Sequence, residues 1–297
     1  MESLERLSKQ LNSLNDLRNI VTTMKTLSAA SIRQYEQAVT AVDGYYRSVE
    51  RGLHVVLRKM ERPGGGARRT RESNRLAAIV FGSDHGLCGR FNEEISSYAL
   101  ERMASAPADP KTRLVLAVGA RVAATLEHQG QAIEEDFLVP GSASQITSTV
   151  QQILLKIDEW REQLGVHYVY LFYNRHTGGN GYHPVGFELL PVNLRRFHRL
   201  QEERWPSRSL PTFTMDRDRL FSRLLHQYLF VSIFRACAES QASEHVSRLA
   251  AMQSAERHLD NRIEEVTSVF HRSRQSAITS ELLDVVTGFE AITTQKK

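Results

Sequence analysis

A chain of 297 residues with 41% hydrophobic and 24% charged content has ordinary globular composition and room for about two domains. The net charge of +4 is not gathered at either end: residues 212–297 carry 11 basic and 11 acidic side chains, and residues 1–62 carry 10 and 7. That excludes the one-sided basic surface of a nucleic-acid grip. Cys88 and Cys237 lie in no CxxC or Cys/His spacing, which argues against a disulfide or zinc framework.

The first element expected is a helix over 1–62. Its apolar positions Leu4, Leu7, Leu11, Leu14, Leu17, Val21 and Met24 recur at steps of 3 and 4, close to a heptad seam. Gly44 and Gly52 suggest a bend, and Pro63-Gly64-Gly65-Gly66 breaks the helix. The two unpaired cysteines fit a reducing, cytosolic setting, and the start from Met1 to Arg6 shows no apolar signal core. No run approaches the roughly 18 apolar residues of a membrane span, so any membrane link is expected to run through a partner.

Residues 63–211 change period. All eight prolines and 14 of the 17 glycines lie there. Leu76–Phe81, Leu114–Val118, Val166–Tyr173 and Val185–Leu190 read as strands, and Asn92–Ala104, Arg121–Gln129 and Ser144–Leu164 as helices between them. Strands alternating with helices imply an α/β domain of mainly parallel strands. Arg68-Arg69-Thr70-Arg71 and Arg195–Arg208 read as basic connections to the flanks, and Arg175–Gly181 as a flexible loop.

From Thr212 to Lys297 there is no proline and one glycine. Each proline would cost a helix interior about 3 kcal/mol, so this stretch is built as one long helix. Its seam runs Leu249, Met252, Glu256, Leu259, Ile263, Val266, Phe270, Ser273, Ala277, then slips by one to Ile278, Leu282, Val285, Phe289, Ile292. Two seams flanking a globular insert predict a long antiparallel coiled coil of the terminal helices, with a Rossmann-like α/β domain inserted between them. The domains are then 1–62, 63–211 and 212–297. The first helix is the shorter, so the end of the last should project beyond it into another protein.

The turn Gly82–Gly89 follows the first strand. It lacks the Gly-Lys-Ser/Thr ending of a phosphate loop, so a structural turn with Asp84 as its local cap outweighs nucleotide binding. The histidines, His167, His176, His183 and His198 among them, show no paired spacing or carboxylate companion, and no metal is expected.

Three stretches carry a family resemblance. Arg274-Gln275, Ile278-Thr279, Glu281-Leu282, Asp284-Val285-Val286 and Gly288 together resemble the C-terminal signature of the gamma subunit of F-type ATP synthases. Gly82-Ser83-Asp84-His85-Gly86-Leu87-Cys88-Gly89-Arg90-Phe91-Asn92 is similar to that family's glycine-rich segment, and Ile20–Ala30 to its N-terminal one. Arg90, Ser31 and Thr26 depart from the family's habit, and the cysteine-bearing insert of chloroplast members is absent, which suggests a divergent bacterial member.

The resemblance implies a rotor shaft with no catalysis and no cofactor of its own. Its partners would be the alpha and beta subunits, an epsilon subunit and the membrane c-ring. It would stand as one copy per complex, peripheral on the cytoplasmic face of the bacterial plasma membrane. It also implies that Met24, Lys25, Arg274, Gln275, Thr279 and Glu281 meet the alpha/beta head, with Lys25 pointing outward. Gly82, Asp84, Gly86, Cys88 and Gly89 would form a structural turn. Two other readings are open to the residues alone: an α/β nucleotide-binding enzyme with helical dimerisation arms, and a coiled-coil scaffold.

Overall fold

The computed structural model describes residues 2–58, 75–106, 112–178, 181–192 and 211–294. The elements in chain order are α1 (Glu2–Arg58), β1 (Arg75–Phe81), α2 (Phe91–Ala104), β2 (Leu114–Val118), α3 (Ala120–His128), β3 (Glu135–Phe137), α4 (Ile146–Leu164), β4 (Val166–Gly178), β5 (Gly181–Leu190) and α5 (Arg217–Thr294). Tertiary contacts group them into two units, residues 28–248 and residues up to Leu27 with those from Leu249 on. The Pro63–Gly66 breaker and both basic connections lie outside the described residues.

In the larger unit the sheet order is β3-β2-β1-β4-β5. β1 pairs parallel with β2 and β4, β2 pairs parallel with β3, and only β4–β5 is antiparallel. β1 reads as an unbroken apolar run because both its faces are covered. Alternate residues point to opposite sides. Ala77, Ile79 and Phe81 join a core with α4 and with the inner halves of α1 and α5. Leu76, Ala78 and Val80 join a second core under α2 and α3.

Two readings need correction here. The segment read as a loop at Arg175–Gly181 continues β4 through Gly178 and starts β5 at Gly181, with residues 179–180 outside the described set. β3 went unread because Glu135-Asp136-Phe137 is poor in strand formers. It is held from outside itself: Gly119 N–H donates to Phe137 O at 2.7 Å and Glu134 N–H to Val115 O at 2.9 Å. Helix α1 runs unbroken through Gly44 and Gly52 to Arg58. Gly52 lies against α5, where an added Cβ would come within 2.9 Å of a Leu224 methyl.

α5 begins five residues later than expected, at Arg217. Asp216 stands before it and its Oδ1 accepts from the N–H groups of Asp218 (3.1 Å) and Arg219 (3.0 Å), satisfying donors that a helix start leaves open. Ion pairs then tie its inner half to two other elements. The Glu239 carboxylate accepts from Arg175 Nε of β4 at 2.8 Å and from Arg235 Nε one turn back at 2.7 Å. Arg235 also reaches Asp43 of α1 at 3.3 Å.

The smaller unit holds the two outer helix segments. Arg18 Nε meets Asp260 Oδ1 at 2.8 Å and Lys25 Nζ meets Glu256 Oε2 at 2.6 Å. As numbers rise along α1 their partners fall along α5, so the pair is antiparallel. On α5, Met252, Glu256, Leu259, Ile263, Val266, Phe270, Ser273 and Ala277 are buried or half-buried, the seam read from the sequence. On α1 the seam departs from expectation at one position. Leu17 is 49% exposed. The strict heptad steps by four from Leu14 to Arg18, then through Val21 to Lys25. Arg18 and Lys25 are the side chains that reach α5.

Candidate functional site: a bare helix tip and a pinned turn

The tip comes from simple register. If the Arg18–Asp260 spacing is carried to Glu2 at equal rise on both helices, α1 ends beside about residue 276 of α5. Every residue from Ile278 to Thr287 is exposed, Ile278 at 48%, Leu282 at 61% and Val285 at 69% among them. The phase slip to Ile278, Leu282 and Val285 thus falls where α1 has run out.

Arg274, Gln275, Thr279 and Glu281 are all exposed on this stretch. Thr279 Oγ1 donates back to Gln275 O at 2.9 Å. Among the described residues Arg274 and Glu281 have no hydrogen-bond or ion-pair partner. Gln275 and Thr279 line a shallow hollow with Arg272, Ser276, Ser280 and Leu283. The face offers a guanidinium fork, amide and hydroxyl groups and a carboxylate between apolar side chains, a mixture suited to a protein surface.

Met24 and Lys25 are half-buried on α1. Lys25 does not point outward as expected. Its ammonium donates to both oxygens of Glu256, at 2.8 and 2.6 Å, and the Thr22 hydroxyl adds a third bond at 3.2 Å. The hydrogen bond from Lys25 holds the Glu256 carboxyl below its ordinary pKa.

In the larger unit the glycine-rich turn is assembled at the carboxyl ends of β1 and β2. Gly82 N–H donates to Val118 O at 2.9 Å, and an added Cβ on Gly82 would sit 2.3 Å from Val122 Cβ. Asp84 is not a local cap. Its carboxylate accepts from Ala120 N–H (3.0 Å), at the start of α3, and from Val139 N–H (3.1 Å). It therefore binds the turn to two later segments.

Cys88 is 1% exposed, with Ser83 Oγ and Asn92 Nδ2 each 3.6 Å from its sulfur, and burial pushes its pKa up. Asn92 completes the turn, accepting from Ser83 N–H at 3.0 Å and donating to Ser83 Oγ at 2.8 Å. Gly89 takes a left-handed φ of 61°, and Leu87 does the same at 64° with its side chain 63% exposed. At Gly86 an added Cβ would meet nothing within 4 Å, so the turn does not need that glycine for space.

Two α5 residues that the sequence did not single out hold this turn. Ser247 Oγ donates to Cys88 O at 2.6 Å. Arg248 reaches His85 O and Gly86 O at 3.5 Å while paired with Glu244 at 2.6 Å. The Glu244-Arg248 spacing of four on a helix was a readable signal; Ser247 had none. Burial raises the Glu244 pKa despite the arginine. His176, expected to lack a carboxylate companion, has Glu36 Oε1 of α1 at 3.6 Å. Among the described residues no three His, Cys, Asp or Glu side chains stand together as a metal site would require.

The chain thus comprises a doubly wound α/β unit and a second unit in which two helix segments pair antiparallel. The sequence profile of a family described as ATP synthase matches residues 3–292. An ATP synthase gamma chain of Geotalea uraniireducens is 28% identical over 297 residues, covering 98% of this chain and 99% of that one. One of Paracoccus denitrificans is 26% identical over 300 residues, covering 98% and 100%. Among solved structures, a chain of the Euglena gracilis mitochondrial ATP synthase (OSCP/F1/c-ring) has a TM-score of 0.63 at 17% identity, covering all of this chain and 96% of that one. A chain of the Tetrahymena thermophila central stalk and c-ring has a TM-score of 0.54 at 20% identity, covering 80% and 99%. The chain belongs to the ATP synthase gamma family.

Proposed function

We propose that this chain is the central rotor shaft of an F-type ATP synthase, coupling ion flow through a membrane ring to ATP synthesis or hydrolysis in an alpha/beta head. As a gamma-family member it is a non-catalytic subunit, and the chemistry belongs to the assembly. One observation carries the mechanical part of the reading. Of the 14 large apolar residues exposed among the described ones, nine lie in the smaller unit: Leu17, Ile20, Leu27, Val269, Ile278, Leu282, Leu283, Val285 and Val286. Apolar surface gathered at one part of a molecule marks a place that another protein covers.

A single asymmetric shaft touches three equivalent catalytic subunits differently. Each angle then assigns different nucleotide affinities, which couples rotation to binding and release. Arg274, Gln275, Thr279 and Glu281 are the polar contacts to the head. Met24 and Lys25 belong to the same set, and Lys25 reaches the head only by releasing Glu256. The turn at Gly82, Asp84, Gly86, Cys88 and Gly89 is structural, fixing the long helix in the α/β unit. Residues 1–62 and 212–297 work as the shaft and 63–211 as the collar, gripping the c-ring with an epsilon subunit. No helix among the described residues is long and apolar enough to cross a membrane. In this reading the chain works at a membrane, peripheral to it on the cytoplasmic face.

Co-purification from cells tests this directly. The expected result is one copy of this chain with alpha, beta and epsilon subunits and the c-ring. Recovery as a self-associated rod, or as a lone protein that turns over nucleotide, overturns it.

A further inference from the structure

We infer that the Lys25–Glu256 pair, backed by Arg18–Asp260, is a register lock that fixes the axial pairing of α1 and α5 in the outer helix segment. Its consequence for torque rests on the rotor reading; the lock itself does not.

The apolar part of the seam cannot do this alone. Leu4, Leu7, Leu11 and Leu14 repeat at steps of 3 and 4. Sliding one helix past the other by a turn brings similar side chains face to face again, and one-turn ratchets of this kind are a known mode of helix movement. The half-buried charge is less repetitive: Glu256 is the one acid among the α5 seam positions from Met252 to Ala277. Lys25 and Glu256 are only 31% and 22% exposed, and the carboxylate takes two bonds from Lys25 and one from Thr22. A shift of one turn, about 5 Å, would break this bidentate pairing and offer Lys25 at best the exposed Asp260, or Glu256 at best the exposed Arg18. A polar residue at a seam position specifies register in this way at a cost in stability, and a paired charge is commonly no more stabilising than an apolar pair.

The strict heptad supports the assignment. It places Arg18 and Lys25 on the seam seven residues apart, and each meets an acid of α5, Asp260 and Glu256, four residues apart. Along this part of α1 the two charges alternate with the half-buried apolar residues Leu14, Val21 and Met24.

The test measures distance in the full chain, with spin labels on Leu17→Cys and Arg257→Cys. Both positions are exposed, and the native Cys88 and Cys237 are only 1% and 0% exposed, out of the label's reach. The unaltered pair should show one narrow distance. Lys25→Leu with Glu256→Leu should keep or raise Tm and add a second distance displaced by a few ångströms, the part of an axial slide of about 5 Å that the label pair reads. Lys25→Met with Glu256→Met, with unbranched side chains nearer the originals in shape, should do the same. The reversed pair, Lys25→Glu with Glu256→Lys, should restore the single distance. If both apolar pairs keep one narrow distance, or the reversed pair does not restore it, there is no lock. The measurement needs no assembled complex, so its failure leaves the rotor reading standing, and a failed co-purification leaves the lock standing.

Discussion

Two stretches of the same helix look alike in composition and fare oppositely. From Tyr228 to Arg248, eleven of 21 residues are apolar; from Ile278 to Thr287, five of ten are. No residue of the first stretch is exposed, and every residue of the second is. Propensity and hydrophobicity do not separate them. What separates them is the neighbour: the first stretch has the sheet, α4 and the inner half of α1 around it, and the second lies past the end of α1. The bare apolar surface of the tip is therefore a statement about missing company, and the family supplies that company in an assembly.

The comparison breaks first at Glu239. Replacing it with Ala leaves Arg175 and Arg235 without their shared carboxylate inside the larger unit. We expect a loss of about 4 kcal/mol, read from urea unfolding. A loss below about 1 kcal/mol would mean that the inner half of α5 is held by apolar packing alone.

A smaller effect should follow pH. His245 is stacked on Tyr35 at 5.6 Å, its Nδ1 has no partner among the described residues, and burial, with Arg248 adding to it, lowers its pKa to about 4. The folded chain keeps this ring neutral while the unfolded chain protonates it below about 6.5. The stability that neutrality preserves is intact above that value. It is lost as pH falls from about 6.5 to 4, by roughly 3 kcal/mol in all. Val246 and Ser247 follow it in α5, and Tyr35 and Arg248 face the ring. His245→Phe should keep the stack and flatten the pH profile in that window. An unchanged profile would place the titration elsewhere.

The tip should give the smallest effect on folding. Arg274→Ala and Glu281→Ala should change stability by no more than about 0.5 kcal/mol, as for other exposed positions. Coupled ATP turnover of the assembled complex should fall severalfold all the same. Wild-type turnover with both replaced would make them ordinary solvated residues and would sharpen the contrast into a purely apolar one.

Much of this was legible in the chain. The run Leu76–Phe81 announced a strand covered on both faces, and the 3-and-4 spacing from Leu249 to Ala277 traced the α5 seam residue by residue. The error at Leu17 came from following the nearest apolar residue, where the heptad called for Arg18, a charge satisfied across the seam by Asp260. Asp84 was misjudged for a related reason. A short-range cap can be read from neighbours in sequence, but its partners Ala120 and Val139 are brought to it only by the sheet. Long-range polar pairing leaves little trace in periodicity, so Ser247 on Cys88 and Glu239 between two arginines emerge only from the fold.

The 78 residues of α5 form one hydrogen-bonded helix of about 22 turns. No proline interrupts its backbone ladder. A rotation imposed on its inner half must spread as a small twist over every turn before it reaches the tip. The outer end then lags the inner one and recoils when released, as a torsion spring does. Elastic energy gathered from several small steps at one end can in this way be delivered as one larger step at the other.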